Sequence, residues 1–165
     1  MTASNAFNET MLGSRTADAR PGSRPLRVLV VDDEREIRLM LWLILEQSKC
    51  LPTFASNLSE ARDCLRQVEP DLMLLDIDLD GQSEGLELCA ALKRASSSPF
   101  PVVVMLTADD SPETVAAAAQ RGADGYVVKP FSPTQILGLV DSFDAWRIDV
   151  ARKPPSFWPV PRFLR

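Results

Sequence analysis

The chain contains no histidine. That absence excludes a Ser-His-Asp triad, a histidine-kinase core and a histidine phosphotransfer module. With only three cysteines it also excludes an ordinary Cys/His zinc centre. Cys50, Cys64 and Cys89 are odd in number and lack ligand-like spacing, so buried reduced thiols are expected instead of a disulfide framework. No apolar run reaches the length of a membrane span; LRVLVV and LMLWLIL are strand- and helix-sized. The N-terminal stretch has no apolar core of the signal-peptide kind, and a cytoplasmic protein without membrane contact is expected.

What is present suits one domain. A length of 165 residues, 45% of them apolar, suffices for a single sizeable core. The net charge of −5 is unevenly spread. Residues 1–27 carry +2 and residues 147–165 carry +4, which leaves −11 on the body between them. An acidic body repels nucleic acid, and neither arm is basic enough to make it the expected partner.

Residues 1–25 are rich in Ser, Thr, Ala, Arg and Pro without periodicity and read as a disordered arm. Strands are then expected at LRVLVV (26–31), PTFAS (52–56), DLMLLD (71–76), VVVML (102–106) and GYVV (125–128). Helices are expected from after Glu34 to about residue 48, from Asn57 to about Val68, and from about Glu84 to Arg94. Two more follow over roughly 112–121 and 133–146, each opened by a capping serine and a proline, Ser111-Pro112 and Ser132-Pro133. Asn57 with Glu60 resembles a capping box, and Ser96–Pro101 reads as a linker. Five strands alternating with helices indicate an α/β fold: an open, doubly wound parallel sheet with helices on both faces. With strand order 2-1-3-4-5, ligands bind between strands 1 and 3, beyond their carboxyl ends. Pro52 agrees with strand 2 lying at the edge.

Four apolar runs end in polar residues of three chemical kinds: carboxylate, hydroxyl and ammonium. Strand 1 runs into Asp32-Asp33-Glu34, strand 3 into Asp76, strand 4 into Thr107 and strand 5 into Lys129-Pro130. Parallel strands would bring these ends to one edge. Acids there repel one another unless a hard divalent cation binds, and Mg²⁺ takes oxygen ligands of this kind. The same acids could merely favour the N-terminus of the first helix, and both roles are compatible. Asp76 is the candidate nucleophile toward phosphorus, with Lys129 and Thr107 placed to contact a phosphoryl group.

LVVDDE, LLLDIDL, LTA (106–108) and GADGYVVKPF (122–131), at their mutual spacing, resemble the receiver domain of two-component response regulators, a flavodoxin-like fold. The resemblance covers about 26–146. It implies that Asp76 is the phospho-acceptor, that Asp32 and Asp33 bind Mg²⁺, and that the Asp78 backbone carbonyl completes the metal site. It further implies that Thr107 is the switch hydroxyl, Tyr126 the aromatic that changes rotamer with it, and Lys129 the phosphate contact before a cis Lys129-Pro130 bond. Small Ala108 leaves the phosphoryl site open. The family pattern departs after the acceptor: Asp80 stands where proline is expected, and Gly85 comes one residue late.

The implied partners are a sensor histidine kinase or histidine phosphotransfer protein upstream and a protein target in trans downstream. The implied output face is helix 4, strand 5 and helix 5. Residues 147–165 are basic, proline-broken and aromatic, so a stand-alone, single-domain response regulator is expected, without an output domain or independent enzymatic activity. The tail reads as disordered or packed loosely on the acidic body; the alternative is that Phe157, Trp158 and Phe163 dock on a partner or on the body's own switch face. One rival is a haloacid-dehalogenase-type phosphatase with Asp78 as general acid, but there the remaining metal acids follow the lysine. Another is a phosphorylation-independent receiver-like binding module. A P-loop or flavodoxin-type phosphate site is disfavoured, since no glycine-rich loop follows strand 1.

Overall fold

In a computed structural model, which describes residues 24–95 and 101–148, five strand–helix units follow one another. They are β1 (Leu26–Val31), α1 (Arg35–Leu45), β2 (Cys50–Ala55), α2 (Leu58–Val68), β3 (Leu72–Asp76), α3 (Glu84–Ala95), β4 (Val102–Thr107), α4 (Pro112–Gln120), β5 (Gly125–Val128) and α5 (Pro133–Arg147). The strands are all parallel in the order β2-β1-β3-β4-β5. This is the expected doubly wound sheet, and the order reverses between β1 and β3.

Strand alternation sorts the core into two layers. Val28, Val30, Leu72, Leu74, Val104 and Leu106 face one side, where α1 and α5 cover them with Leu41, Ile44, Leu45, Ile136 and Phe143. Leu29, Val31, Met73, Leu75, Val103 and Met105 face the other, against Ala61, Cys64, Leu88, Cys89 and Ala118 of α2, α3 and α4. β3 and β4 are buried along their whole length, which is why they read as continuous apolar runs.

Local chemistry sets the ends of the elements. Ser111 accepts from Thr114 N, and Ser132 forms a full capping box with Gln135. Asn57 accepts from Glu60 N, but the Glu60 carboxylate reaches back to Ser56 N and its hydroxyl, one residue beyond a true capping box. α1 stops at Leu45, before residue 48, because the Gln47 and Ser48 amides turn onto Ile44 and Leu45 carbonyls and tighten the last turn. Pro52 pairs in register with Val28 on the edge strand.

Residues 1–23, 96–100 and 149–165 hold most of the expected arm, linker and tail, including Phe157, Trp158 and Phe163, and lie outside the described residues. Arg24, at the boundary, is fastened to the body. Its guanidinium donates to both Asp71 oxygens at 2.7 and 2.5 Å, and Arg147 of α5 donates to the Arg24 carbonyl at 2.6 Å. Among the described residues no helix is long and apolar enough to cross a membrane.

Candidate functional site

The ladder carries the backbone past each strand end and aligns the four termini. Asp32 N donates to Ala55 O, Ile77 N to Leu106 O, and Lys129 N to Thr107 O. The carboxylates of Asp32, Asp33 and Asp76 thereby offer oxygens that all lie within 4.8 Å of one another. Lys129 enters from β5, ahead of a cis bond to Pro130. Its Nζ stands 2.8 Å from both Asp32 Oδ2 and Asp76 Oδ2, and 3.3 Å from Glu34 Oε1 on the exposed rim.

The electrostatics are those of a site short of positive charge. Burial, with the neighbouring Asp76 charge, pushes Asp32 up to about 6 even though Lys129 pulls the other way. Burial also raises Asp76, with Asp33 adding to it and Lys129 opposing. Burial works against the Lys129 ammonium, but Asp32 and Asp76 outweigh it and raise its pKa. One ammonium thus serves three carboxylates. Asp32 is fully buried, and its Oδ2 has charge contact with Lys129 but no well-aligned hydrogen bond. An orphaned anionic oxygen among other carboxylate oxygens is the donor set that a hard, oxygen-seeking cation completes.

The remaining expected residues fall at or beside this edge. The Asp78 main-chain N–H acts on the Asp76 carboxylate in the direction that lowers its pKa, while the Asp78 side chain is exposed and accepts from Ser83 Oγ at 3.2 Å. Thr107 is buried at the end of β4, yet its hydroxyl is turned onto the following loop. It donates to Asp109 O at 2.8 Å and accepts from Asp109 N at 3.0 Å. Tyr126 is partly buried, with Met105 as its register partner and Val128 two residues on opposite Thr107. Alternation places Tyr126 and Thr107 on the same sheet face. Asp32 Oδ1 also accepts the Glu34 N–H at 2.9 Å, so the acid serves the start of α1 as well as the cluster.

Two contributors were not foreseen. Arg38 Nη1 donates to the carbonyls of both Asp32 and Asp33, at 2.6 and 2.8 Å, and pins the acidic turn from below. An arginine so early in a helix opposes the dipole preference, and that is the signal the sequence carried. The second is the main-chain N–H of Asp80, 3.1 Å from Asp33 Oδ2. It depends on the left-handed turn at Asp80-Gly81, and that Asp-Gly pair is the signal the sequence carried.

A doubly wound five-stranded domain with an acid pocket at its switch point is the class these features define. Residues 28–141 match the response regulator receiver domain, and the chain belongs to that family. It is 40% identical over 114 residues to the phosphate regulon transcriptional regulatory protein PhoB of Escherichia coli, covering 69% of this chain and 49% of that protein. It is 36% identical to the DNA-binding response regulator MtrA of Mycolicibacterium smegmatis, covering 69% and 48%. The chain thus spans about half the length of the curated relatives it matches. Among solved structures it resembles a CheY-like response regulator receiver domain protein from Methanospirillum hungatei, with TM-score 0.67 and 27% identity over 75% of this chain and 97% of that one. It also resembles the chemotaxis protein CheY4 of Vibrio cholerae, with TM-score 0.66 and 29% identity over 72% and 98%.

Proposed function

We propose that this receiver accepts a phosphoryl group on Asp76 from a phosphohistidine donor, a sensor histidine kinase or a histidine phosphotransfer protein. One observation carries the reading. Lys129 Nζ bridges Asp32 and Asp76 beside Asp33, joining strand ends that are far apart in sequence. An Asp76 oxygen attacks phosphorus, the bond from phosphorus to the donor imidazole nitrogen breaks, and the imidazole leaves with that electron pair. The product is an acyl phosphate. Lys129 contacts the transferred oxygens as a compact cation. Asp32, Asp33, Asp76 and the Asp78 backbone carbonyl would hold Mg²⁺, which when bound neutralises charge on the transferring group.

The output follows from how Thr107 is tied. Turning its hydroxyl toward a phosphoryl group on Asp76 breaks both hydrogen bonds to Asp109. The Asp109 carboxylate accepts from Ser111 N, Ser111 Oγ and Thr114 Oγ1, so it organises the start of α4. Moving Thr107 therefore loosens the α4 entry and vacates space on the face that Tyr126 shares. The α4–β5–α5 surface is biased between two packings, and a protein target that prefers one of them reads the signal.

Incubation with acetyl phosphate and Mg²⁺ tests the reading. Wild type should take up one phosphoryl group per chain, and Asp76→Asn none. Labelling that persists in Asp76→Asn, or turnover of phosphate esters in place of single labelling, would end it. Turnover would favour the dehalogenase-type chemistry.

A further inference from the structure

We propose that the Asp80-Gly81 turn is a positioning element for the cation site: it holds the Asp80 main-chain N–H against Asp33 and so presets one ligand. The inference rests on the cation-site reading above and adds a residue pair which that reading does not use.

Asp80 and Gly81 both lie in the left-handed region, at φ 53 and 73. Leu79 and Gln82 exchange both backbone hydrogen bonds, Leu79 N to Gln82 O at 2.9 Å and Gln82 N to Leu79 O at 3.0 Å. Two consecutive positive φ angles inside such a pair make the two-residue turn that Asp-Gly favours. Here the turn delivers an amide. Asp80 N lies 3.1 Å from Asp33 Oδ2, across 47 residues of sequence.

The turn cannot drift, because both flanks are anchored. Leu79 is fully buried in the second core layer. Beyond the turn, Gly85 N donates to Ile77 O at 3.1 Å, and its Cα presses on the Asp76 carbonyl with no room for a Cβ. The loop thus sets the Asp80 N–H against Asp33, while the Asp78 N–H favours the charged form of Asp76. The Asp78 and Asp80 residues are themselves exposed. It is the backbone that addresses the site, and a carboxylate already oriented by a neighbour loses less freedom when it binds a metal.

Calorimetric titration of the full chain with Mg²⁺ tests this. Gly81→Pro cannot hold a positive φ and should weaken Mg²⁺ binding about tenfold, within the range seen when the outer partners of metal ligands are removed. Gly81→Asn, which tolerates the left-handed conformation, should restore most of the affinity. Asp80→Asn keeps the amide and drops the charge, and should lose no more than about twofold. Equal affinity in wild type and Gly81→Pro overturns the proposal, as does a loss in Asp80→Asn matching that of Gly81→Pro. If Gly81→Pro does not fold, Gly81→Ala is titrated instead; a partial loss supports the role and none overturns it. Failure of the underlying reading looks different: wild type itself binds no Mg²⁺, or Asp33→Asn binds it as tightly as wild type.

Discussion

Lys129 Nζ and Asp76 Oδ2 are 2.8 Å apart although 53 residues separate them in the chain. Both side chains are nearly buried, so the contact is little screened by solvent. Removing the ammonium leaves carboxylates facing one another without compensation. Lys129→Met should therefore cost about 3 kcal/mol of stability in a chelating buffer, the scale of breaking a buried pair. Added Mg²⁺ should recover much of it by binding the folded state alone. The Lys129 pKa is raised, so its contribution is complete below the ordinary lysine value near 10.4 and is lost only as pH rises through the folded value. Urea unfolding at pH 7, with EDTA and with Mg²⁺, reads both effects; equal midpoints for variant and wild type in EDTA would contradict the argument.

Asp71 governs the acid limb of stability. Burial alone would raise its pKa, but the Arg24 hydrogen bonds, the Arg27 N–H and the two guanidinium charges outweigh burial and hold it low. A depressed folded pKa gives stability that is present above the unfolded value near 3.9 and is lost as pH falls through the folded one. Asp71→Asn should cost about 2 kcal/mol at pH 7, as expected for charged hydrogen bonds. Its deficit should stay constant down to about pH 4 and shrink below it, because wild type then loses the same contacts. Denaturation curves from pH 7 to pH 2.5 measure the gap; a deficit that widens in acid has the wrong sign.

The three thiols should differ in reactivity. Cys64 and Cys89 are buried, and burial pushes both up, Cys89 to about 11. Cys50 is partly exposed, with its thiol also raised by burial and its sulfur 3.0 Å from Ser48 Oγ. Since the thiolate is the reactive form, a disulfide reagent at pH 8 should modify Cys50 slowly and the other two only after unfolding. Two or more fast equivalents in the native protein would show that one of the buried pair is open to solvent.

The features legible in the sequence are those that side-chain pattern controls. Continuous apolar runs gave the buried strands, Ser-Pro pairs marked the starts of α4 and α5, and Pro52 placed β2 at the edge. Asp32, Asp33, Asp76 and Lys129 were readable as a site because parallel strands end on one line. Which group meets which partner around the loops was not readable, even where a residue or a turn stood out in the sequence. The Asp80 amide on Asp33, the Arg38 guanidinium on two carbonyls and the turn of the Thr107 hydroxyl onto Asp109 depend on loop dihedrals and rotamers. The late glycine is the instructive case: with Asp80 and Gly81 both at positive φ before it, Gly85 is seated against the Asp76 backbone.

Gly85 and Gly138 make opposite predictions for the same substitution. A Cβ on Gly85 would stand 1.8 Å from the Asp76 carbonyl oxygen and 2.9 Å from that of Ile77. Both obstacles are backbone, so neither can rotate aside. Gly85→Ala must push α3 away from the acceptor strand, and about 3 kcal/mol of destabilisation is expected from such overpacking. It should also slow phosphoryl uptake, because the Asp76 backbone moves with it. Gly138 lies inside α5, and a Cβ there meets nothing within 4 Å. Gly138→Ala should stabilise the chain by about 0.5–1 kcal/mol through helix propensity alone and leave phosphoryl uptake unaltered. Thermal unfolding of both variants, paired with acetyl phosphate labelling rates, separates the two cases. If Gly85→Ala is as stable and as quickly labelled as wild type, the contact between α3 and the acceptor strand is not the constraint argued for it.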